Sequence, residues 1–385
     1  MSSTLRSRTV LYLITTDISS VFLKGQLAFL SEAGFRVTVG TKVSDGATPG
    51  TFDEGVRLID IPFVREPSPW RDLVALVAAI RLIRSVRPAV VNASTPKAGL
   101  IGMIAARLCR VKVRVYVVRG LRFETMTGRR RRIFVALERV AMLCATHVVF
   151  NSRSTLAVAK ELGIVGTGVG RVLGAGSGNG LDMARFSHFV PDPGARATFG
   201  IPENARVVGF IGRFTKDKGI ADLIEAFGHL CATRPDSWLI LVGSFESADP
   251  LPSSTLAAIH RHDRIRTVAW TNDLASVYSS IDVLAFPSYR EGLPNVPLEA
   301  QACSIPVVGY EASGTVDAVR NGVTGRLVPV GDVTALSDAL AELLDDATTA
   351  GEMGKRGKEW VGQAFRQDVV WSALRDCYET WIAAG

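Results

Sequence analysis

Short apolar runs along the chain alternate with longer segments in which apolar residues recur every three or four positions. The first pattern predicts strands buried on both faces and the second amphipathic helices; their alternation predicts parallel sheets wound by helices. In the first half, strands are expected at Val10–Thr15, Arg36–Gly40, Val56–Pro62, Ala89–Ala93, Val111–Val118, His147–Phe150 and Arg171–Leu173, with helices near 20–34, 71–87, 97–109, 131–145 and 153–162. In the second half, strands are expected at Val207–Ile211, Trp238–Val242, Ile265–Ala269, Val283–Ala285, Val307–Val308 and Gly325–Val328. The fold class is therefore α/β with two doubly wound layers. Pro191-Asp-Pro-Gly194 interrupts the alternation, which sets one domain over 1–190 and a second over 191–366. The last helix, 367–385, carries Val369, Val370, Trp371, Leu374, Tyr378, Trp381 and Ile382, an apolar load that requires packing.

Within this pattern, Glu291-Gly-Leu-Pro-Asn-Val-Pro-Leu-Glu299 sets two carboxylates around a tight loop that leads from a buried strand into a helix. Glu291 falls at the carboxyl end of the strand and Glu299 about one turn into the helix, the edge of a parallel sheet where ligands bind. Upstream, Gly209-Phe-Ile-Gly-Arg213-Phe-Thr-Lys216-Asp-Lys218-Gly219 closes another strand on glycine and places three cations before an amphipathic helix. Arginine matches a phosphate bidentately and lysine offers a mobile point charge, which is what a pyrophosphate needs. Two carboxylates and two cations at strand ends of one domain fit a nucleotide-sugar site, with Lys216 left to solvent.

These segments resemble the donor-binding domain of the retaining GT-B glycosyltransferases of family 4. The resemblance rests on Gly212-Arg213, Lys218-Gly219, Glu291-Gly292 through Glu299-Ala300, Pro306-Val307-Val308 and Asn321-Gly-Val-Thr-Gly325, with Val328 and Asp332. Ser94-Thr-Pro-Lys-Ala-Gly99 and Gly176-Ser-Gly-Asn-Gly-Leu-Asp182 are similar to the branch that extends saccharides on lipid-pyrophosphate carriers. The resemblance implies two Rossmann-like domains facing a cleft, with the C-terminal helix returning to the first. It implies that Glu299 takes the ribose hydroxyls and Glu291 faces the donor sugar. Gly212 and the backbone N–H groups of Gly292, Leu293 and Asn295 would contact the donor, and Arg213 and Lys218 would meet its diphosphate. In many members a histidine after the fifth strand faces the donor sugar; Arg119 stands there in this chain, and a glycine-rich first loop is missing. Arg119, Lys97, Arg122 and Asn179 are acceptor-side candidates.

Other chemistry is disfavoured. Gly174-Ala-Gly-Ser-Gly-Asn-Gly180 has dinucleotide-type spacing but lies far from the first strand and precedes Leu-Asp-Met-Ala-Arg-Phe, so nicotinamide binding is not expected. No Asp-x-Asp pair occurs and the histidines are dispersed, so neither a metal nor a cofactor is expected. Five scattered cysteines indicate thiols in a reducing compartment. No secretory signal or membrane-spanning run is expected.

Charge adds a partner. Through residue 185 there are 27 Lys and Arg against 12 Asp and Glu, a balance of +15, and −8 over the remainder. So basic a half expects an anionic partner. Arg129-Arg-Arg-Arg132 opens a mainly apolar helix, a pattern compatible either with docking on an anionic membrane surface or with a core helix that has a basic first turn. Nucleic acid is not expected, because the basic residues lack interleaved aromatics and no binding module is recognised. The sequence is therefore read as a cytoplasmic, peripherally membrane-associated, metal-independent retaining transferase. It would move a hexosyl unit from an NDP-sugar, UDP-sugar first, to a lipid-linked saccharide. A small-molecule acceptor is the alternative, and a nucleotide-sugar epimerase a more distant one.

Overall fold

The structure is a computed structural model that describes residues 8–43, 52, 56–64, 68–247, 249–271 and 273–384. The chain divides into two units: residues through Gly180 together with those from Gln367 onward, and Leu181–Arg366. The first contains β1 (Thr9–Thr16), α1 (Gln26–Glu32), β2 (Arg36–Lys42), β3 (Arg57–Asp60), α2 (Pro69–Val86), β4 (Val90–Ser94), α3 (Pro96–Leu108), β5 (Val113–Val118), α4 (Gly128–Cys144), β6 (His147–Phe150), α5 (Arg153–Glu161) and β7 (Gly170–Val172). The second contains α6 (Ala184–Ser187), α7 (Ala195–Thr198), β8 (Arg206–Ile211), α8 (Ile220–Thr233), β9 (Ser237–Val242), α9 (Ser253–Arg261), β10 (Ile265–Val268), α10 (Leu274–Ser280), β11 (Val283–Phe286), α11 (Asn295–Ala302), β12 (Val307–Tyr310), α12 (Thr315–Ala318), β13 (Gly325–Val328), α13 (Val333–Asp345) and α14 (Ala347–Ala364). The final helix, α15 (Gln367–Ala384), belongs to the first unit.

Both sheets are parallel and share one wiring. Their orders are β3-β2-β1-β4-β5-β6-β7 and β10-β9-β8-β11-β12-β13. Each order reverses once, between β1 and β4 and between β8 and β11, which opens a crevice at the carboxyl ends of those strands. The strands are apolar on both faces because helices cover both. In the first unit Leu11, Leu13, Val91 and Ala93 join the core under α2 and α3, while Val10, Tyr12, Val115 and Val117 join the core under α1 and α15. Helix α15 is held by polar contacts as well: the hydroxyls of Tyr12 and Tyr378 lie 3.0 Å apart, Asn92 Nδ2 donates to Tyr378 at 2.6 Å, and Trp381 stacks on His147 at 4.0 Å.

Two expectations are corrected. The helix expected over 20–34 is a 3-10 turn over Asp17–Phe22 followed by α1, broken at Gly25, whose φ is +78°. A Cβ there would lie 2.5 Å from the Trp371 ring, so the packing of α15 forbids a continuous helix with a side chain at 25. The domain boundary falls after Gly180 rather than after 190. Leu181 N donates to the Phe365 carbonyl at 2.7 Å, and Phe186 packs edge-on against Tyr278 at 6.4 Å, which fastens this segment to the second unit. Pro191-Asp-Pro-Gly194 is a local turn closed by Asp192 Oδ1 accepting from Gly194 N at 2.9 Å. Elsewhere element ends differ from expectation by one to three residues, as frayed ends do.

One buried acid stands outside any ion pair. Glu138, on the inner face of α4, accepts from the Tyr116 hydroxyl at 2.8 Å. Burial pushes the Glu138 carboxyl up to about 7, opposed by the Tyr116 hydrogen bond, and raises Tyr116 well above its ordinary value. A carboxyl raised on folding stabilises the fold in its protonated form, fully below its unfolded pKa near 4.5, and loses that contribution as pH rises through about 7. The difference amounts to on the order of 3 kcal/mol. Glu138→Gln keeps the hydrogen bond without the charge. Thermal melting should therefore show the variant several degrees more stable than the native chain at pH 8, with no gain at pH 4.5; parallel pH profiles would refute the assignment.

Candidate functional site

In the second unit, the loop leaving β8 and the loop leaving β11 flank the point where the strand order reverses. They touch through Gly219, whose φ is +68° and where a Cβ would lie 2.1 Å from the Pro287 carbonyl oxygen. No other residue allows this approach. Further ties fix the register of the two loops: Tyr289 N donates to the Asp217 carbonyl at 2.9 Å, and Arg290 Nη2 to the Asp217 carboxylate at 2.9 Å. Burial would raise Asp217, but the Thr215 hydroxyl and the charges of Arg290, Lys218 and Arg213 outweigh it and hold the carboxyl below its usual range. On this frame Lys218 Nζ donates to Glu291 Oε1, with the two side chains only 18% and 15% exposed. The ammonium also stands 5.9 Å from the centre of the Phe286 ring. Residues 73 apart in sequence thus form one half-buried pair at the crevice.

The other expected donor residues surround this pair at different depths. Arg213 follows Gly212, whose N–H donates to the Val242 carbonyl at 2.9 Å; its guanidinium is more than half exposed and meets Glu246 at 3.1 Å. Gly292 is buried, Leu293 partly so, and Asn295 is exposed at the first turn of α11. The amides of Asn295 and Val296 open this helix, before Pro297, which has none. Glu299 lies one turn further on and accepts from the Tyr278 hydroxyl at 2.9 Å. Burial raises its pKa, while the Tyr278 hydrogen bond and the charge of Arg185 pull the other way. It is a separate acceptor, not part of the Lys218–Glu291 contact.

The first unit treats its candidates unequally. Arg119 follows β5 and is part-buried, with its Nε enclosed and unpartnered. Its Nη2 makes a long hydrogen bond of 3.4 Å to the Phe22 carbonyl, and its guanidinium lies 4.8 Å from the Phe22 ring centre. Burial pushes it down to about 10, so it stays charged at neutral pH. Gly178 makes room for it: a Cβ there would lie 2.4 Å from Nη1. Beside Gly178, Asn151 Oδ1 is also buried without a partner, as is Ser94 Oγ at the end of β4. The next residue, Thr95, has φ +72° and bonds its hydroxyl to that of Thr15 at 2.6 Å. Lys97, in contrast, pairs with Asp72 of α2 at 2.8 Å. Asn179 is a strut: its Oδ1 accepts from Trp371 Nε1 at 2.9 Å and its Nδ2 donates to the Lys24 carbonyl at 3.1 Å. Arg122 is exposed, its guanidinium 5.8 Å from the Phe134 ring centre.

Sequence reasoning missed Tyr278, Phe22 and Asn151. Tyr278 and Phe22 meet Glu299 and Arg119 from other elements, and Asn151 is marked only by an unpartnered oxygen, so no spacing reveals them. Gly178 did leave a signal, since the glycine run 174–180 had no nucleotide to explain it; the run makes space for an arginine instead.

The family described as "Glycosyl transferases group 1" matches residues 193–360, and the one described as "Glycosyl transferase 4-like domain" matches 20–172. The chain is 32% identical over 384 residues to the capsular polysaccharide biosynthesis glycosyltransferase CapM of Staphylococcus aureus, covering 98% of each. It is 26% identical over 301 residues, 76% of each chain, to the UDP-Gal:alpha-D-GlcNAc-diphosphoundecaprenol alpha-1,3-galactosyltransferase of Escherichia coli. Among solved structures, the sucrose-phosphate synthase of Thermosynechococcus elongatus superposes with a TM-score of 0.84 at 22% identity, over 98% of this chain and all of that one. Two parallel sheets of like wiring, family matches over both halves and a full-length relative agree: this chain belongs to glycosyltransferase family 4 and has the GT-B fold.

Proposed function

We propose that the protein is a retaining glycosyltransferase that moves a hexosyl unit from a UDP-sugar, or another nucleoside-diphosphate sugar, to a hydroxyl of a lipid-linked saccharide during polysaccharide synthesis. The observation that carries this reading is the half-buried Lys218–Glu291 pair where the strand order of the second unit reverses. The names of the Staphylococcus and Escherichia relatives support the polysaccharide context, the uridine nucleotide and the diphospholipid acceptor.

The chemistry follows from charge. As the bond between the anomeric carbon and the diphosphate breaks, negative charge grows on the departing phosphate oxygen. Lys218 turns from Glu291 to that oxygen, Arg213 meets the remaining phosphate, and the α11 amides add their donors. Glu291, released from its cation, accepts a donor-sugar hydroxyl, and Glu299 accepts from the ribose. The acceptor hydroxyl attacks on the face the nucleotide leaves, and the departing oxygen takes its proton. In this reading no metal or cofactor is needed. Arg119, part-buried without a carboxylate partner among the described residues, takes an anionic group of the acceptor.

Membrane association is part of the proposal. Among the described residues no helix is long and apolar enough to cross a membrane. Helix α4, however, turns Ile133 (59% exposed), Leu137, Val140 and Leu143 outward on one stripe, under the exposed Arg129, Arg130 and Arg132. An outward apolar stripe with a basic head fits an anionic bilayer surface.

Three outcomes test the reaction. Lys218→Ala and Arg213→Ala should each lower turnover at least tenfold, interactions of this type being worth about 10²–10³ in rate. Lys218→Ala combined with Glu291→Gln should be far from additive, because the two groups contact one another; unchanged rates in the single variants would refute the roles. Calorimetry with UDP should show Glu299→Gln binding more weakly. The native affinity should strengthen as pH rises through the raised titration of Glu299, a trend absent from the variant. Finally, a panel of NDP-sugars offered with a glycosylated polyprenyl diphosphate should yield product whose NMR coupling shows the donor's anomeric configuration. An inverted product, or transfer only to small soluble acceptors, would overturn the reading.

A further inference from the structure

The first unit has a second cationic site at the opposite edge of its sheet, away from Arg119. A cleft of about 690 Å³ opens where β4 and β5 begin. Arg84, Arg87, Arg110 and Lys112 line it, its apolar lining includes Val111 and Val113, and no lining residue is acidic. Strand β5 separates it from Arg119 by about 17 Å of extended chain. Arg84, Arg87 and Arg110 form no side-chain ion pair among the described residues.

Ordinary capping does not account for this concentration of charge. Helices α2 and α3 both end at this edge, and each C-terminus carries about half a negative charge, so together they balance roughly one of the four cations. Two of those cations also occupy unusual backbone positions. Arg87 follows α2 with φ +49° and Arg110 stands just past α3 with φ +55°. These are helix-end positions at which glycine is the usual residue.

The surroundings indicate where the anion comes from. Leu108, at the last turn of α3, and Leu143, near the end of α4, are each 60% exposed. Arg107 Nη1 donates to the Leu143 carbonyl at 2.8 Å and so ties the two helix ends together. The outward apolar stripe of α4 is thereby tied to the end of α3, whose next residues, Cys109 and Arg110, line the cleft.

We propose that this cleft binds the phosphate of an anionic membrane lipid, with guanidinium groups gripping the headgroup and Leu108 and Leu143 meeting the apolar layer. This rests on the membrane-associated reading above and assigns it a specific headgroup site.

The test uses the full chain and the double variant Arg87→Gly, Arg110→Gly, whose backbone conformation suits glycine, so that folding is retained. In flotation with vesicles of phosphatidylglycerol and phosphatidylcholine, the native chain should bind and the variant should bind at least tenfold more weakly. Turnover on a water-soluble acceptor should stay unchanged, since neither residue has a catalytic role. Equal vesicle binding by both chains would overturn the site while leaving the transferase reading intact. Failure of the native chain to bind anionic vesicles would overturn both the site and the membrane reading, again without touching sugar transfer. Inorganic pyrophosphate provides the third arm: native binding of it without vesicle binding would assign the cleft to a free phosphate ligand and overturn the lipid source.

Discussion

The chemistry of the second unit depends on one close approach, that of Gly219 to the Pro287 carbonyl. It brings the loop after the first strand of that sheet against the loop after the fourth, and only then can Lys218 reach Glu291. The pair is not there for stability. Burying an ion pair costs desolvation that the mutual attraction barely returns, and well-packed apolar residues of similar volume serve a fold as well or better. A mobile ammonium held beside a carboxylate in a half-buried crevice is useful when a stronger anion arrives. On the proposed function, the carboxylate holds the cation in place until both groups turn to a donor that carries phosphates and hydroxyls together.

The two units share a wiring but not an electrostatic plan. In the second, the cations around the crevice are matched: Lys218 by Glu291, Arg290 by Asp217, Arg213 by Glu246. In the first, the part-buried Arg119 lies against a ring and a carbonyl, with Nε, Asn151 Oδ1 and Ser94 Oγ unpartnered. A fold does not keep a desolvated charge and several orphaned polar atoms at a strand-end edge without cost. The second unit pairs its cations internally, whereas in the proposed function Arg119 of the first is left for an anionic group of the acceptor.

How much of this the sequence showed depends on the range of the interaction. Strands buried on both faces read as apolar runs, so both sheets and their alternation with helices were legible, and so was the Glu291–Glu299 spacing, because strand, loop and helix lie within one local stretch. Long-range partners left no trace. The Asp72 partner of Lys97, the span of Asn179 between Lys24 and Trp371, and the Tyr278 hydroxyl on Glu299 all come from other elements. The break at Gly25 was missed for the same reason: it is dictated by a tryptophan from the far end of the chain. The ten residues misplaced at the domain boundary followed a proline-rich turn that proved to be local, whereas the true division is marked by a hydrogen bond from Leu181 to Phe365 and by Phe186 packed on Tyr278.

Helix α4 shows why the membrane question could be posed but not answered from sequence. Its apolar residues occupy both faces: Phe134, Val135, Ala141 and Met142 pack inward, and Ile133, Leu137, Val140 and Leu143 point out. A helix apolar all round is ordinarily enclosed by protein or by lipid. The sequence left open whether the Arg129–Arg132 end headed a core helix, and the structure shows only one face covered. The inner face also holds Glu138, an acid with no cation to neutralise it, while the arginines stand outside. Had α4 evolved for an aqueous surface, the economical arrangement would be the reverse, with the charges of Glu138 and an arginine paired in water and leucines turned inward. Keeping the acid inside and protonatable, and the cations outside and unpaired, leaves an outer face of one charge sign over an apolar stripe. That combination suits an interface that is itself negative and apolar within a few ångströms.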